Sequence, residues 1–464
     1  MAPSRGRAYS NANIKAKAEE SPLACALLVA RNERHPYSKG RALCDIAATY
    51  ARLGENKQAT KIFSEALKAA GEVKGSEDKA DLLLQISAEC ATAGEFDKAL
   101  RAARRIGQRE SSADALGIIA GACAEAGEFE KAFEIVEKIR CPDRKAIGFS
   151  LIAAAYAENS KKAEARRLLS ETLDAIGKNP EASDTDWALA EIANHSATTG
   201  LFREALLAVR KIKDGYWKTW ATAQIADAYR QRGKKEKCSA KLSEALELSH
   251  SIKQPYRRVP AWTDLSAVYA ACGEKDRAGE LLRKALNSAT RIRDPVHKYL
   301  ALSATAIGYM GHGDYEQALR VARRIHHNYS DGVSLTFVAG AFAEAGRFEK
   351  GLKTAETIRN PRERAMALAE VASGFAKHGH IDHALWMART IKQPNGKADA
   401  FRRLAGIRLE AGQYLEALQA AKQIPLPHIQ SDTLATIAMK YAEAGQHPGP
   451  AEKRILREIV REFE

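Results

Sequence analysis

Small and apolar residues recur in one fixed order around a series of glycines. Residues 124–132, Ala-Glu-Ala-Gly-Glu-Phe-Glu-Lys-Ala, display this order around Gly127, and close copies run along almost the whole chain. A small residue lies seven positions before each glycine, a ring usually lies four before it, and another small residue usually lies five after it. These offsets place an apolar stripe on each of two helices that flank a turn, so the pattern predicts a helical hairpin.

The repeat unit comes in two lengths. Ser160 holds one turn position, and glycine holds the others: Gly54, Gly94, Gly127, Gly200, Gly233, Gly273, Gly313, Gly346, Gly379, Gly412 and Gly445. Neighbouring turn positions are either 33 or 40 residues apart. Because the difference corresponds to about two helical turns, we expect a longer second helix in the four long units, which follow Gly54, Ser160, Gly233 and Gly273.

A proline often lies 18 residues before the next turn, where it ends one hairpin and begins another: Pro36, Pro142, Pro255, Pro295, Pro361, Pro394 and Pro427. The small residue, the ring, Gly-x-[Phe/Tyr]-x-x-Ala and this proline, in that order, resemble the tetratricopeptide repeat (TPR) over roughly residues 21 to 464. The resemblance implies an all-α, right-handed superhelical solenoid of about 12 to 13 antiparallel helix hairpins. The unit lengths depart from the family norm, and leucines such as Leu43 and Leu83 mostly replace its early tryptophan.

A single period needs no internal boundary, so we expect one elongated array. Residues 1–20 are predicted to be a flexible basic segment or a degenerate first helix, residues 21–449 the array, and residues 450–464 a capping second helix of the last unit. The apolar run at residues 23–30 lies in the frame of the repeat and is predicted to be the second helix of a degenerate first unit. The basic start of the chain leaves a signal or transit peptide as the alternative.

The seven cysteines are scattered and include no Cys-x-x-Cys pair, which favours buried, reduced thiols over a disulfide framework. No apolar run approaches the ~18 residues that a membrane span requires. These features predict a cytoplasmic protein that does not enter a membrane.

Positive charge is concentrated in one part of the chain. Residues 201–300 hold 21 Lys and Arg against 11 Asp and Glu, and the whole chain has a formal net charge of +14. This region has three possible roles: a solvated face, a surface for an acidic protein segment, or a surface for nucleic acid. Its candidate basic residues are Lys211, Lys213, Lys218, Arg232, Lys234, Lys235, Lys237, Lys241, Arg257 and Arg258.

The TPR resemblance also implies that partners bind a concave face built from the first helix of each unit. The corresponding positions are mostly small residues here, and the carboxylate clamp of the family is not reproduced. Larger side chains cluster in two adjacent units and are the candidate partner-binding residues: Trp187, Asn194, Trp217, Trp220, Asp227 and Arg230. The alternative is that Trp187 and Trp220 pack between helices.

The sequence offers little sign of catalysis. It contains no phosphate-binding loop, no nucleophile elbow and no His-Glu-x-x-His motif. His378, His380 and His383 share one turn, but an exposed corner without a nearby cysteine does not favour a metal site. We therefore expect no cofactor, and a noncatalytic scaffold or adaptor that binds a protein or peptide partner, with an acidic segment as one alternative for that partner. The alternative is an RNA- or DNA-binding repeat protein that uses residues 201–300.

Overall fold

A computed structural model describes residues 15–176, 184–325 and 332–463, and within these ranges it contains helices and no strands. Residues 15–18 form one helical turn. The longer helices follow in chain order: α1 (Pro22–Asn32), α2 (Pro36–Arg52), α3 (Asn56–Glu72), α4 (Ser76–Thr92), α5 (Phe96–Ala103), α6 (Arg109–Glu125), α7 (Phe129–Glu137), α8 (Pro142–Glu158), α9 (Lys162–Ile176), α10 (Thr185–Thr198), α11 (Phe202–Lys211), α12 (Gly215–Gln231), α13 (Lys235–His250), α14 (Pro255–Ala271), α15 (Lys275–Thr290), α16 (Pro295–His312), α17 (Tyr315–Ala322), α18 (Gly332–Glu344), α19 (Phe348–Glu356), α20 (Pro361–Lys377), α21 (Ile381–Thr390), α22 (Pro394–Glu410), α23 (Tyr414–Lys422), α24 (Pro427–Glu443) and α25 (Pro450–Arg461).

The even-numbered helices are the first helices of the units, and the odd-numbered helices from α3 to α23 are the second helices. Seven first helices begin at the prolines that the sequence singled out. Second helices contain 15 to 17 residues in the four long units, α3, α9, α13 and α15. Those of the short units contain 8 to 10 residues. The predicted hairpins and the predicted extension are therefore confirmed.

The turns explain why glycine recurs. All eleven predicted turn glycines have a positive φ, a conformation that a Cβ disfavours. At the first turn, the N–H of Gly54 donates to Ala51 and the N–H of Glu55 donates to Tyr50, which ends the helix in a Schellman motif. Ser160 takes the same conformation with a φ of 63° and is the one described residue other than glycine to do so.

The recurrent rings form contacts between successive units. The ring two residues after a turn stacks on the ring four residues before the next turn. Phe129 lies 4.1 Å from Tyr156 between ring centroids, and Phe202 lies 4.0 Å from Tyr229. Around these rings the buried helix faces are rich in alanine, which lets the helices approach closely. The sequence pattern thus records both the hairpin and its packing on the next unit.

The described chain divides into two compact units of structure. Unit 1 contains the residues up to Gln108 together with those from Ala339 onward, and unit 2 runs from Arg109 to Val338. The elongated single array expected from the sequence did not anticipate that the two ends of the chain belong to one unit.

Within unit 1, the first helix of the chain completes the last repeat. Helix α24 packs along α1 and also contacts α2, while α25 packs on α23 and α1. His428 in α24 lies 3.0 Å from the Glu33 carboxylate, and Arg457 in α25 lies 3.5 Å from that of Glu20. Helix α1 has the second-helix role expected of it, but its first helix is α24. The sequence predicts α25 as the second helix of the last unit, whereas in the structure α1 packs along α24 and α25 packs on α23 and α1.

Candidate partner-binding site

Trp187 lies in the first turn of α10, and its indole is held from one side by Arg144. The guanidinium lies 4.1 Å from the ring centroid. Arg144 also contacts Asp114 at 3.1 Å and Asp184 at 3.6 Å. Burial raises the pKa of Glu191, and a hydrogen bond from Trp187 opposes that rise. The tryptophan is therefore half-buried and fixed in orientation, with only part of its surface accessible.

A network of carboxylates holds the segment between α11 and α12 beside Trp187. The Asp186 side chain accepts from the backbone N–H groups of Lys213 and Asp214, both at 2.9 Å. Asp214 in turn caps α12 by accepting from the N–H of Trp217 at 3.0 Å. It also accepts two hydrogen bonds from Arg257, at 2.6 and 3.0 Å. Bidentate pairing of this kind keeps the loop and the start of α12 in one arrangement.

An aromatic cluster follows at the start of α12. The rings of Trp217 and Trp220 meet edge to face with centroids 6.1 Å apart, and Tyr216 lies 5.0 Å from Trp217. The Arg257 guanidinium lies 5.3 Å from the Tyr216 ring. All three rings are half-buried, so the cluster combines packing within the protein with an accessible edge.

Trp187 and Trp217 line one cavity of about 600 Å³. Lys211, Lys213 and Arg257 also line it. The structure thus brings together two of the predicted aromatic residues and three of the predicted basic residues at the N-terminal ends of α10 and α12. Lys211 lies 3.8 Å from Asp174, while Lys213 pairs with no described carboxylate. The cavity therefore combines aromatic walls with a cation that remains available.

Trp220 contacts Trp217 without lining this cavity, and the other three predicted partner-binding residues lie farther away. Asp227 and Arg230 lie near the C-terminal end of α12, where they pair with each other at 2.7 Å. Thirteen residues separate Trp217 from Arg230, which corresponds to about 20 Å along the helix. Asn194 lies seven residues from Trp187 in sequence, about 10 Å along α10. The six residues therefore follow two neighbouring helices and do not form a single cluster.

The predicted basic residues also separate into two groups. The second group surrounds the turn after α12, where Arg232 donates to the carbonyl of Thr198 at 2.5 Å. The ammonium of Lys234 lies 5.3 Å from the Phe202 ring, and that of Lys237 lies 5.8 Å from the Tyr229 ring. Lys235 is exposed at the start of α13. Most of this positive charge is therefore engaged with backbone and aromatic groups of the protein.

The remaining basic residues are held within individual helices or between neighbours. Lys241 pairs with Glu244 at 2.5 Å. Arg258 lies 5.0 Å from the Trp262 ring, and its Nε is buried without a partner among the described residues. Lys218 is partly buried. The ten basic residues do not form one continuous cationic surface.

Sequence reasoning missed an exposed apolar surface on the first helices α16 and α18. Leu300 is 55% exposed, Ile307 is 51% exposed and Phe337 is 48% exposed, with Val333 beside them in sequence. Leu300 and Val333 lie thirteen residues before a turn glycine, where the units carry mixed side chains, and Ile307 lies six residues before one, where most units carry a small or polar side chain. That departure was readable in the sequence, but each residue alone resembles an ordinary core position.

A cavity of about 860 Å³ adjoins this surface between α14 and α16. Its lining includes Ile307, Gly308 and Gly311, and also Asp264. Burial raises the pKa of Asp264 to about 6. This cavity has a larger volume than the cavity between Trp187 and Trp217.

Unit 1 holds a further cavity of about 590 Å³ where the ends of the chain meet. Arg41, Arg402 and Asp432 line it, and one carboxylate oxygen of Asp432 is buried without a partner among the described residues. Burial raises the pKa of Asp432 to about 7, with repulsion from Asp45 adding to the shift and Arg41 and Arg402 opposing it. Burial likewise raises the pKa of Asp45 to about 6.

The three clustered histidines pack on aromatic rings. His378 and His380 each lie 5.3 Å from Phe348, and His383 stacks 5.8 Å from Phe375. In the part of the chain that the structure describes, no group of three His, Cys, Asp or Glu side chains is arranged to hold a metal ion. Likewise, no described helix has the length and apolar character needed to cross a bilayer.

This chain has only weak similarity to known proteins. No family model matches it, and no curated protein matches it. Similar solved structures include Ton1535 from Thermococcus onnurineus NA1, with 18% identity over 76% of this chain and 98% of that one, and a TM-score of 0.27. A signal-transduction ATPase with a TPR sensor from Pyrococcus horikoshii has 16% identity over 91% and 74%, and a TM-score of 0.31.

Rap protein, solved with competence and sporulation factor, has 13% identity over 79% of this chain and 99% of that one, with a TM-score of 0.29. TM-scores this low give no information on the function of the chain. The hairpins, their glycine turns and their stacking define it as an all-α, TPR-like repeat protein.

Proposed function

We propose that this protein is a noncatalytic TPR-like scaffold, and that it binds a segment of a protein partner in the cavity between Trp187 and Trp217. The observation that carries the proposal is that two consecutive first helices each direct a tryptophan to one cavity whose walls are already fixed by hydrogen bonds. Tryptophans in such preorganised settings often dominate protein interfaces.

The size and charge of the cavity suggest what the partner segment carries. A volume of about 600 Å³ accommodates one or two large side chains. The indole surfaces favour an aromatic or aliphatic side chain, and the ammonium of Lys213 favours a neighbouring carboxylate. The expected ligand is therefore an extended peptide segment with an apolar anchor beside an acidic residue.

The noncatalytic part of the proposal rests on the use of the described helices. Helices α2 to α24 belong to the repeat hairpins, and α1 and α25 complete the packing at the ends of the chain. The proposal assigns the described chain to holding a partner rather than to chemistry.

The proposal is tested by partner capture with the intact chain and with the Trp187→Ala, Trp217→Ala double variant. Proteins retained from a lysate are identified by mass spectrometry, and the affinity of a purified partner is then measured directly. We expect the double variant to weaken that affinity by at least tenfold, because hot-spot tryptophans typically contribute about 2 kcal/mol or more each. Trp386→Ala is the matched control, since Trp386 is 66% exposed and lies on α21 in unit 1.

Unchanged affinity in the double variant would remove the cavity from the proposal. A labelled single-stranded RNA and a labelled duplex DNA serve as the rival ligands at low and high salt. Binding that falls steeply with salt and requires Lys234, Lys235 and Lys237 would favour nucleic-acid recognition instead. We expect neither nucleic acid to compete with the protein partner.

A further inference from the structure

Two cysteines from neighbouring repeat units meet at one packing contact. The Sγ atoms of Cys238 and Cys272 lie 3.1 Å apart, although the residues are 34 positions apart in the chain. Cys238 belongs to the first turn of α13, and Cys272 is the C-cap of α14. No other pair of cysteine sulfurs in the described ranges lies within hydrogen-bond distance.

Both cysteines are departures from the repeat pattern. Cys238 lies five residues after Gly233, a position that holds alanine in most units, such as Ala59, Ala99 and Ala132. Cys272 directly precedes Gly273, where no other unit has cysteine. The two substitutions therefore coincide at one contact between consecutive hairpins, and the fold supplies the proximity that the sequence spacing conceals.

We propose that Cys238 and Cys272 are a thiol-oxidation site that a hydroperoxide converts into a reversible intrachain disulfide. The sulfurs need to approach by about 1 Å to reach the ~2.05 Å of a disulfide bond. Each belongs to a helix terminus or first turn, where such a shift requires little displacement of the packed helix bodies.

The chemistry proceeds in two balanced steps. The Cys272 sulfur attacks one oxygen of hydrogen peroxide, which breaks the O–O bond and yields a sulfenic acid and one water. The Cys238 sulfur then attacks the Cys272 sulfur, forming the S–S bond and releasing the hydroxyl group with a proton as a second water. Two thiols are oxidised and one peroxide is reduced to two waters. A dithiol reductant reverses the reaction.

Exposure assigns the two roles. Cys272 is partly accessible, whereas Cys238 is buried. Burial, reinforced by the hydrogen bond and charge of Cys272, raises the pKa of Cys238 to about 12. Cys238 therefore stays protonated and unreactive toward the oxidant until its neighbour has been oxidised, and it acts as the resolving thiol.

The experiment uses the full chain, reduced, freed of reductant and then exposed to hydrogen peroxide. Remaining thiols are alkylated, and peptides are mapped by mass spectrometry. We expect loss of two of the seven thiols, a Cys238–Cys272 cross-linked peptide that is 2 Da lighter than the reduced pair, and recovery of both thiols with dithiothreitol. The oxidised chain is expected to unfold at a higher temperature because the bond closes a long loop.

Variants separate this site from nonspecific oxidation. Cys238→Ser leaves a trappable sulfenic acid at Cys272, and Cys272→Ser leaves Cys238 reduced. Cys141→Ser is the matched control, because Cys141 is also only partly buried, and it is expected to leave the cross-link unchanged. Alkylation of both sulfurs after oxidation, overoxidation without cross-linking, or a bridge to another cysteine would overturn the proposal.

Discussion

Two helical hairpins of this protein have similar packing but different connections. Helices α12 and α13 are joined through the turn at Gly233 and pack along each other. Helices α24 and α1 also pack along each other, although they come from opposite ends of the chain. The pairing of two helices therefore depends on their complementary apolar faces, and the glycine turn only joins helices that are neighbours in the sequence. Among the described residues, α24 of the C-terminal repeat therefore takes the place of a first helix beside α1.

The polar contacts of α24 differ from those of an ordinary first helix such as α22. In α22, Asp399 accepts hydrogen bonds from Arg402 and Arg403. Asp432 occupies the same repeat position in α24, but it faces the N-terminal helices and keeps one buried oxygen without a described partner. At the meeting of the ends, the Asp432 carboxylate therefore lacks the arginine hydrogen bonds that the Asp399 carboxylate accepts in α22.

The largest effect is expected from removing α1. Deletion of residues 1–34 exposes the face of α24 that α1 covers, and α1 alone contributes buried side chains such as Leu23, Leu27 and Val29. Burial of each such side chain stabilises the fold by about 1.5–3 kcal/mol, and the deletion removes these contributions. We expect amide hydrogen exchange in residues 427–443 to accelerate by roughly 100-fold or more.

Exchange in α12 provides the internal control, since that helix belongs to unit 2. Its protection should remain unchanged in the truncated chain. If α24 kept its protection without α1, the two helices would not pack on each other in solution. The second helix of the last repeat would then be α25, as the sequence predicts.

A smaller effect is expected from Asp432→Asn. Burial raises the pKa of Asp432 from 3.8 in the unfolded chain to about 7 in the fold. The folded state therefore retains a proton that the unfolded state releases, and the free energy of unfolding falls as the pH rises from about 4 to 7. The variant should lose this part of the fall and exceed the parent in stability at pH 8 by on the order of 1–3 kcal/mol.

Urea unfolding between pH 4 and 8 measures this difference. Asp399→Asn is the matched control, because it removes a carboxylate that arginines already hold. We expect that control to lose stability at pH 8. Equal pH profiles for the parent and Asp432→Asn would show that the Asp432 carboxylate is solvated.

The smallest effect, and one of opposite sign, is expected from Glu33→Gln. Burial opposes ionisation of Glu33, but hydrogen bonds from the His35 N–H, the His428 side chain and the Arg34 N–H together hold its pKa below the usual 4.5. The ionised carboxylate therefore stabilises the fold above its unfolded pKa, and this contribution disappears as the pH falls through the folded pKa.

The variant should be less stable than the parent at pH 7 by about 0.5–1 kcal/mol and equal to it in strong acid. Urea unfolding at the two pH values provides the measurement. Glu349→Gln, which alters an exposed pair with Lys353, should have no measurable effect. A stability difference that persisted in acid would mean that Glu33 acts through packing rather than charge.

Much of the fold was predictable because every unit has the same apolar positions and the same turn. The positive φ at Gly233 and its counterparts follows from the need to end one helix and reverse the chain in a few residues. The two-turn extension of α13 relative to α11 follows from unit length alone. A position that departs from the pattern in one unit can still be assigned from the others. The spacing of the glycines predicts a turn at Ser160, and Ser160 has the same positive φ.

The candidate site was predictable only in part. The sequence predicts Trp187 on a first helix and Trp217 just ahead of the next one as candidate partner-binding residues, and the structure shows that both line one cavity. Their separation from Asp227 and Arg230 was missed because repeat offsets specify a helix face but not which end of the helix lies beside a cavity. The Cys238–Cys272 contact was missed for a related reason. The repeat offsets identify which positions are small or apolar, but they do not show that these two positions of consecutive units contact each other.

The sequence by itself determined the hairpin, its turn, its two lengths and the packing of each unit on its neighbours, because those contacts are local and occur again in every copy. Only the tertiary structure decided that α24 pairs with α1, that Asp432 is left unpaired there, and that two sulfurs from different units touch. The pairing of α24 with α1 joins residues that no repeat period relates, so it depends on the accumulated geometry of many helices. The contact between the sulfurs lies between consecutive units, but it depends on two side chains that depart from the repeat pattern.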